Sequence, residues 1–214
     1  MVLLITVTIF GIAFVASNYF SDKKLEEIKS IQDKIAIDIL SSETQFSLLE
    51  ESSCKDIGSG TLSTELGALE EKLSSTAQER GVNDSEVQAL KRYYSLLEIK
   101  DYLLLQQISK QCKAKPVYVL YFYSNQGDCA DCGREGDVLT YLRGQYPSLR
   151  VYSFDYHLEL SALQTLITLR KVKTPLPALI INNRAPVNGF KSLEDLRKLI
   201  PELKTLSTAS STQR

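Results

Sequence analysis

Apolar and polar residues follow distinct patterns along the chain, and each pattern predicts a different kind of structure. Residues 2–20 carry no charge, and as a helix they would span about 28 Å, close to the hydrocarbon thickness of a bilayer. Residues 21–113 contain no proline and repeat their apolar positions at helical spacing. In residues 114–204, short apolar runs alternate with helical patterns. Residues 205–214 are rich in Ser and Thr and predict a disordered tail.

The first segment, residues 1–20, is predicted to be a transmembrane helix or signal anchor. Val15-Ala16-Ser17 is a passable cleavage site, so a cleaved signal peptide is the alternative. No basic residue precedes the apolar run, and its length suits a full span, which favours the anchor. Lys23 and Lys24 follow the span and, by the positive-inside rule, would place the rest of the chain in the cytoplasm. A disulfide predicted between Cys54 and Cys112 instead favours a soluble part on the non-cytoplasmic side of the membrane.

Residues 21–113 predict a helical hairpin or three-helix bundle. The second helix is expected from about residue 63 to 80 and the third from 86 to 111, with Asp84 or Ser85 as the N-cap of the third. The apolar positions do not form sustained heptads, so no long coiled coil is predicted. The first helix carries an apolar stripe at Leu25, Ile28, Ile31, Ile35, Ile39 and Phe46.

Cys54 and Cys112 fall at the ends of the first and third predicted helices. If the second helix runs back between them, these two ends lie at the same end of the bundle, within reach of a disulfide. Such a bond would close a loop of about 58 residues and stabilise the fold by roughly 4 kcal/mol. Because it would persist only in an oxidising compartment, we predict a structural Cys54–Cys112 disulfide and a soluble part outside the cytoplasm.

A strand followed by a helix is predicted within KPVYVLYFYSNQGDCADCG and the residues after it. Residues 117–123 are uncharged and mostly β-branched or aromatic, which is typical of a strand buried on both faces of a sheet. Polar residues and a glycine at 124–127 end the strand. Residues 132–145 then predict a helix closed by Gly144, with an apolar face at Val138, Leu139 and Leu142.

Cys129 and Cys132 lie at the turn from this strand into this helix. There the free N–H groups and the helix dipole favour a thiolate on the first cysteine, and the second lies close enough to form a disulfide with it. A Cys-x-x-Cys pair is also the spacing of one half of a zinc-binding site. A zinc ribbon needs a second pair, however, and Cys54, Cys112 and His157 have no suitable spacing, so no metal is predicted.

Further strands and helices are predicted after this helix. A strand is predicted at 152–155, then a helix, and then Thr174-Pro175-Leu176-Pro177 leads into a strand at 178–181. A hairpin through Asn188-Gly189 and a helix opened by Ser192 follow. This order resembles the thioredoxin-like family. The predicted fold class is therefore α/β, thioredoxin-like in the C-terminal half and preceded by a transmembrane helix and an all-α segment.

The resemblance implies roles for individual residues. Cys129 would be the nucleophilic thiol and Cys132 the resolving thiol. Pro177 would be the family's cis-proline, which together with Leu176 would help bind an extended substrate chain beside the disulfide. Pro175 is the alternative for this role. Pro177 is preferred because it immediately precedes a buried strand, where a proline loses no ladder hydrogen bond.

The chain also departs from the thioredoxin pattern. It has no Trp, and Asp128 replaces the aromatic residue that precedes the cysteine pair. Asp131 stands between the cysteines, where thioredoxins have proline. The family's buried carboxylate should fall near Tyr121 or Tyr123, and neither phenol accepts a proton at neutral pH. Asp128 and Asp131 are predicted to tune the thiol, because flanking carboxylates oppose its ionisation while the helix N-terminus favours it.

Composition narrows the function further. A net charge of −1 gives no electrostatic case for binding nucleic acid. His157, the only histidine, is expected to be a solvent-facing loop residue, and metal delivery lacks a Met or His cluster. No cofactor is predicted. We therefore predict a single-pass, membrane-anchored thiol–disulfide oxidoreductase that acts on protein thiols and disulfides outside the cytoplasm. The alternative is a non-catalytic thioredoxin-like binding or scaffold protein whose CxxC is structural.

Overall fold

A computed structural model describes residues 61–209 continuously, together with a few isolated positions before residue 50. The chain divides into two compact units, Met1–Leu49 and Glu50–Arg214. The predicted anchor at residues 1–20 lies almost wholly outside the described residues, as do most of the first predicted helix and Cys54. None of the helices in the described part of the chain is both long and apolar enough to cross a membrane.

Two long helices precede the sheet. Helix α1 spans Thr61–Arg80 and helix α2 spans Ser85–Cys112, and the two pack along each other. Gly81 begins the turn between them with a φ of +86°, a conformation that glycine adopts without strain. The Asp84 carboxylate accepts the N–H of Glu86 at 2.9 Å and caps α2. Both predicted helices and the Asp84 N-cap are therefore confirmed.

Four strands form one mixed sheet in the order β2-β1-β3-β4. Strand β1 (Val117–Tyr123) pairs in parallel with β2 (Leu149–Asp155), and it pairs antiparallel with β3 (Ala178–Ile181). The short strand β4 (Val187–Asn188) pairs antiparallel with β3. The predicted limits of β1 and β3 are confirmed, while β2 begins three residues earlier than the predicted residue 152.

Helices cover both faces of this sheet. Helix α3 is Cys132–Gln145, α4 is Ser161–Arg170, α5 is Leu193–Leu199, and a 3-10 helix follows at Pro201–Thr205. Successive side chains of β1 point to opposite faces. Tyr118, Leu120 and Phe122 join a core with α2 and α4, while Val117, Val119 and Tyr121 join a second core with α3 and α5. The element order from β1 to α5 is the one that the thioredoxin-like resemblance implies.

Helix α2 belongs to the core of the α/β fold. Ile99 and Tyr102 are buried in the same cluster as Leu120 and Phe122 of β1. Residues 21–113 were expected to form a helical segment separate from a domain at 114–204. Helix α2, which falls in the first of these ranges, buries its apolar face against the sheet that the second range forms.

Two local predictions are corrected. The turn between β3 and β4 lies at residues 182–186, where Asn182 and Asn183 adopt positive φ, so it does not pass through Asn188-Gly189. Asn tolerates this left-handed conformation better than most residues. Within the tail predicted at 205–214, Thr205 ends the 3-10 helix and Leu206 packs against the core, while residues 210–214 lie outside the described residues. The prediction that Ser192 opens the last helix is confirmed, since its hydroxyl accepts the Asp195 N–H in a capping box.

Candidate redox site

Cys129 and Cys132 form a disulfide at the N-terminal end of α3, with a Cα–Cα distance of 5.5 Å. Cys132 is the first residue of the helix and is 5% exposed, whereas Cys129 lies in the preceding loop and is only partly buried. Both pack with the core on the α2 side of the sheet. The predicted location of the pair, at the turn from a buried strand into a helix, is confirmed. The outer sulfur belongs to the cysteine that was predicted to be the nucleophile.

Asp131, between the cysteines, is paired with a cation on its own helix. Its Oδ1 lies 2.8 Å from Nη1 of Arg134, and the Arg134 guanidinium lies 4.2 Å from the centre of the Phe190 ring. Arg134 therefore contacts both the carboxylate and a ring from the loop before α5. This pairing offsets part of the charge that Asp131 was predicted to place beside the thiols, although solvent screens an exposed pair strongly.

Asp128, which directly precedes Cys129, contacts the single histidine of the chain. The Nε2 of His157 lies 2.8 Å from Asp128 Oδ2. Hydrogen bonds from Ser124 and His157 hold the pKa of Asp128 below its usual range. The His157 side chain is 29% exposed, so the ring is partly enclosed instead of facing solvent freely. Sequence reasoning placed His157 in a loop but missed this contact, because it joins two loops that are 29 positions apart.

The segment before β3 contains two cis peptide bonds, Thr174–Pro175 and Leu176–Pro177. The predicted cis bond before Pro177 is present, and the alternative residue Pro175 is also cis. Burial distinguishes them, since Pro177 is buried and Pro175 is exposed. The Pro177 carbonyl accepts the N–H of Gly189 at 2.8 Å. Leu176 is buried in the same cluster as Cys132, which places this segment in the core that supports the disulfide.

A buried carboxyl group also lies near the cysteines, and it comes from α3 instead of β1. Glu135 is fully buried, and its Oε2 accepts the backbone N–H of Lys191 at 2.6 Å. Its Oε1 has no hydrogen-bond partner within the part of the chain that the structure describes. Burial raises the pKa of this carboxyl group. Glu135 precedes the buried Leu139 and Leu142 by four and seven positions, a helical spacing that could have revealed it.

Tyr121 occupies one of the two positions where the thioredoxin carboxylate was expected. Its hydroxyl donates to the backbone carbonyl of Cys132, so it ties β1 to the first residue of α3. Burial raises the pKa of Tyr121 above its usual value. The phenol is therefore a neutral donor that positions Cys132, in agreement with the expectation that it cannot take up a proton at neutral pH.

The remaining predicted site residues do not join this group. Cys112 is the last residue of α2. Its predicted partner, Cys54, lies outside the described residues, so the pairing stays a prediction. Within the described residues, no group of three His, Cys, Asp or Glu side chains is close enough to hold a metal ion.

No family model matches the chain, and no curated protein matches it. Among solved structures, thioredoxin O2 from Arabidopsis thaliana in its oxidised state is 22% identical and has a TM-score of 0.37, covering 50% of this chain and 88% of that one. Thioredoxin O1 from the same plant is 22% identical with a TM-score of 0.34, covering 44% and 83% of the two chains. The structure of a malarial protein is 25% identical with a TM-score of 0.34, covering 40% and 94%.

These scores are too low to carry the assignment by themselves, so the class depends on the chain's own architecture. The strand and helix order, the disulfide at the start of α3 and the buried cis-proline before β3 support a thioredoxin-like fold with a redox-type cysteine pair.

Proposed function

We propose that the protein is a thiol–disulfide oxidoreductase that acts on protein thiols and disulfides through Cys129 and Cys132. The observation that carries the proposal is the unequal burial of two bonded cysteines at a helix N-terminus. Because Cys129 is partly exposed, a substrate thiolate can attack it in the oxidised protein, and it can attack a substrate disulfide in the reduced protein. The free backbone N–H groups at the start of α3 stabilise negative charge on that sulfur once the disulfide opens.

The exchange proceeds in two displacements. In the reduced protein, the Cys129 thiolate attacks one sulfur of a substrate disulfide, and the other substrate sulfur leaves as a thiolate. Cys132 then loses its proton to solvent and attacks Cys129 Sγ, which releases the second substrate thiolate. The substrate has gained two electrons, and the protein has lost two as the Cys129–Cys132 disulfide forms. The same steps in reverse oxidise a substrate dithiol.

Trapping the mixed disulfide tests this assignment. The reduced Cys132→Ser variant, incubated with a disulfide-bonded peptide, should accumulate a peptide adduct on Cys129 that mass spectrometry locates. The matched Cys129→Ser variant should form little adduct, because Cys132 is buried. Equal adduct formation in the two variants, or none in either, would contradict the assigned roles.

A non-catalytic thioredoxin-like binding or scaffold protein is the second candidate. It is favoured by the position of Cys132 in the hydrophobic core, where the disulfide also fixes the start of α3 to the sheet. In that case the parent would have no exchange activity, and the Cys129→Ala, Cys132→Ala double variant would differ from it only by lower stability. An enzyme would lose exchange activity in the same variant.

We further propose that the soluble part is membrane-tethered and lies outside the cytoplasm. The support comes from the uncharged run at residues 2–20 and from the predicted Cys54–Cys112 pair. Fractionation of the full chain with membranes, followed by protease protection, tests both statements. Recovery in the soluble fraction would contradict the anchor. In sealed vesicles with the cytoplasmic face outward, digestion of the soluble part by added protease would contradict the location.

A further inference from the structure

We propose that His157 is a positioning residue for the thiol chemistry, whose ring, held against Asp128, sets the charge beside Cys129 and makes the reactivity of that thiol depend on pH. The inference rests on the proposed function and assigns a regulatory role to a residue outside the CxxC segment. The direct observation is the 2.8 Å contact between His157 Nε2 and Asp128 Oδ2. Asp128 is adjacent to Cys129 in the chain.

The backbone of His157 is held by a chain of contacts that leads back to α2. The backbone N–H of His157 donates to Asp155 Oδ1 at 3.2 Å. The other oxygen of Asp155 lies 2.6 Å from Lys91 Nζ in a buried ion pair. The Tyr156 ring meets the His157 ring edge to face, with centroids 5.3 Å apart. Asp155, which pairs with Lys91 of α2, therefore holds the backbone of His157, while Tyr156 and Asp128 contact its ring.

The charged groups around the ring come from three parts of the fold. Asp128 faces it from the loop before α3. His157 also lines a cavity of about 270 Å³ with Lys91 and Arg92 of α2, Asp155 at the end of β2 and Glu159 of its own loop. Lys91 and Asp155 neutralise each other, which leaves Asp128 as the anion in direct contact with the imidazole. The cavity opens to solvent, so the ring can exchange protons there.

The electrostatic consequence has a definite sign. When His157 is protonated, it forms a neutral pair with Asp128, and a thiolate on Cys129 meets little net negative charge. When His157 loses its proton, the negative charge of Asp128, the residue that directly precedes Cys129, is no longer balanced and opposes formation of the thiolate. The thiol is therefore more acidic while the histidine carries its proton. Because the two groups interact, Cys129 should titrate in two steps instead of one.

The rate at which Cys129 is alkylated by iodoacetamide, measured between pH 4 and 10, tests the proposal. The reduced full chain with Cys132→Ser serves as the background, so that only one thiol of the pair reacts. The His157→Gln variant can still donate a hydrogen bond to Asp128, but it cannot be protonated. We expect the parent to show two inflections and His157→Gln to show one. In acid solution the variant should be slower by about threefold to tenfold, the effect of one charge several ångströms away in a partly screened site.

Two further variants separate electrostatics from structure. Asp128→Asn should speed alkylation at pH values where the thiol is only partly ionised, and adding His157→Gln to it should leave a single inflection. Glu159 lines the same cavity but is not among the hydrogen-bond partners of Asp128, so Glu159→Gln should leave two inflections in the profile. Identical profiles for the parent, His157→Gln and Asp128→Asn would overturn the proposal. Alkylation needs no exchange activity, so this result is distinguishable from a failure of mixed-disulfide trapping.

Discussion

The buried ion pair between Lys91 and Asp155 gives a quantitative test of how α2 is attached to the sheet. Lys91 is 6% exposed and Asp155 is 8% exposed, with Nζ and Oδ2 2.6 Å apart. Removing one partner leaves the other charge buried without compensation, a change that costs about 3–5 kcal/mol. That is a large fraction of the roughly 5–15 kcal/mol that stabilises an ordinary domain. Lys91→Met or Asp155→Asn alone should therefore be severely destabilising.

Urea unfolding followed by far-UV circular dichroism measures this cost, and a double-mutant cycle isolates the pair. The double variant should be less destabilised than the sum of the single variants, with a coupling energy of about 0.5–3 kcal/mol. The Glu194–Lys198 pair on α5 is the matched control, since its side chains are 78% and 70% exposed at a similar distance of 2.8 Å. Lys198→Met should cost less than about 1 kcal/mol. Equal losses for Lys91→Met and Lys198→Met would refute the reasoning.

Further predictions follow from other buried or paired groups. Burial raises the pKa of Glu98 well above the usual range, so parent stability should fall as pH rises above about 4.3. Glu98→Gln should lack this loss and unfold at higher urea concentration at pH 7, whereas the exposed control Glu71→Gln should match the parent. Asp131→Asn should change Cys129 alkylation by less than about threefold, because Arg134 already pairs with Asp131. A fragment of residues 114–214, which lacks α2, should show no cooperative unfolding transition.

Local patterns in the sequence predicted much of the fold. The uncharged run of β1 and the residues of α3 were identified with their observed limits, because burial on both faces and helical spacing leave direct traces in one segment. Asp84 was among the predicted caps of α2 for the same reason. The cis bond before Pro177 came from family resemblance, since no local pattern specifies the isomer of a prolyl bond.

The features that could not be predicted depend on contacts between distant segments. Lys91 and Asp155 are separated by 64 positions, and nothing near either residue indicates a buried charge. The burial of α2 against the sheet also could not be inferred, because an apolar helical stripe packs equally well on a helix or on strands. The contact between His157 and Asp128 joins two loops. Glu135 was overlooked although its spacing from Leu139 places it on the buried face.

The reduction potential of the Cys129–Cys132 disulfide tests the central claim most directly. The full chain is equilibrated in glutathione redox buffers, free thiols are trapped, and the reduced fraction is measured by mass spectrometry on the peptide that contains both cysteines. A working thiol–disulfide couple should have a potential between about −120 and −270 mV, the range of proteins that exchange disulfides. A value below about −300 mV, typical of a structural disulfide, would contradict the account and favour the scaffold alternative.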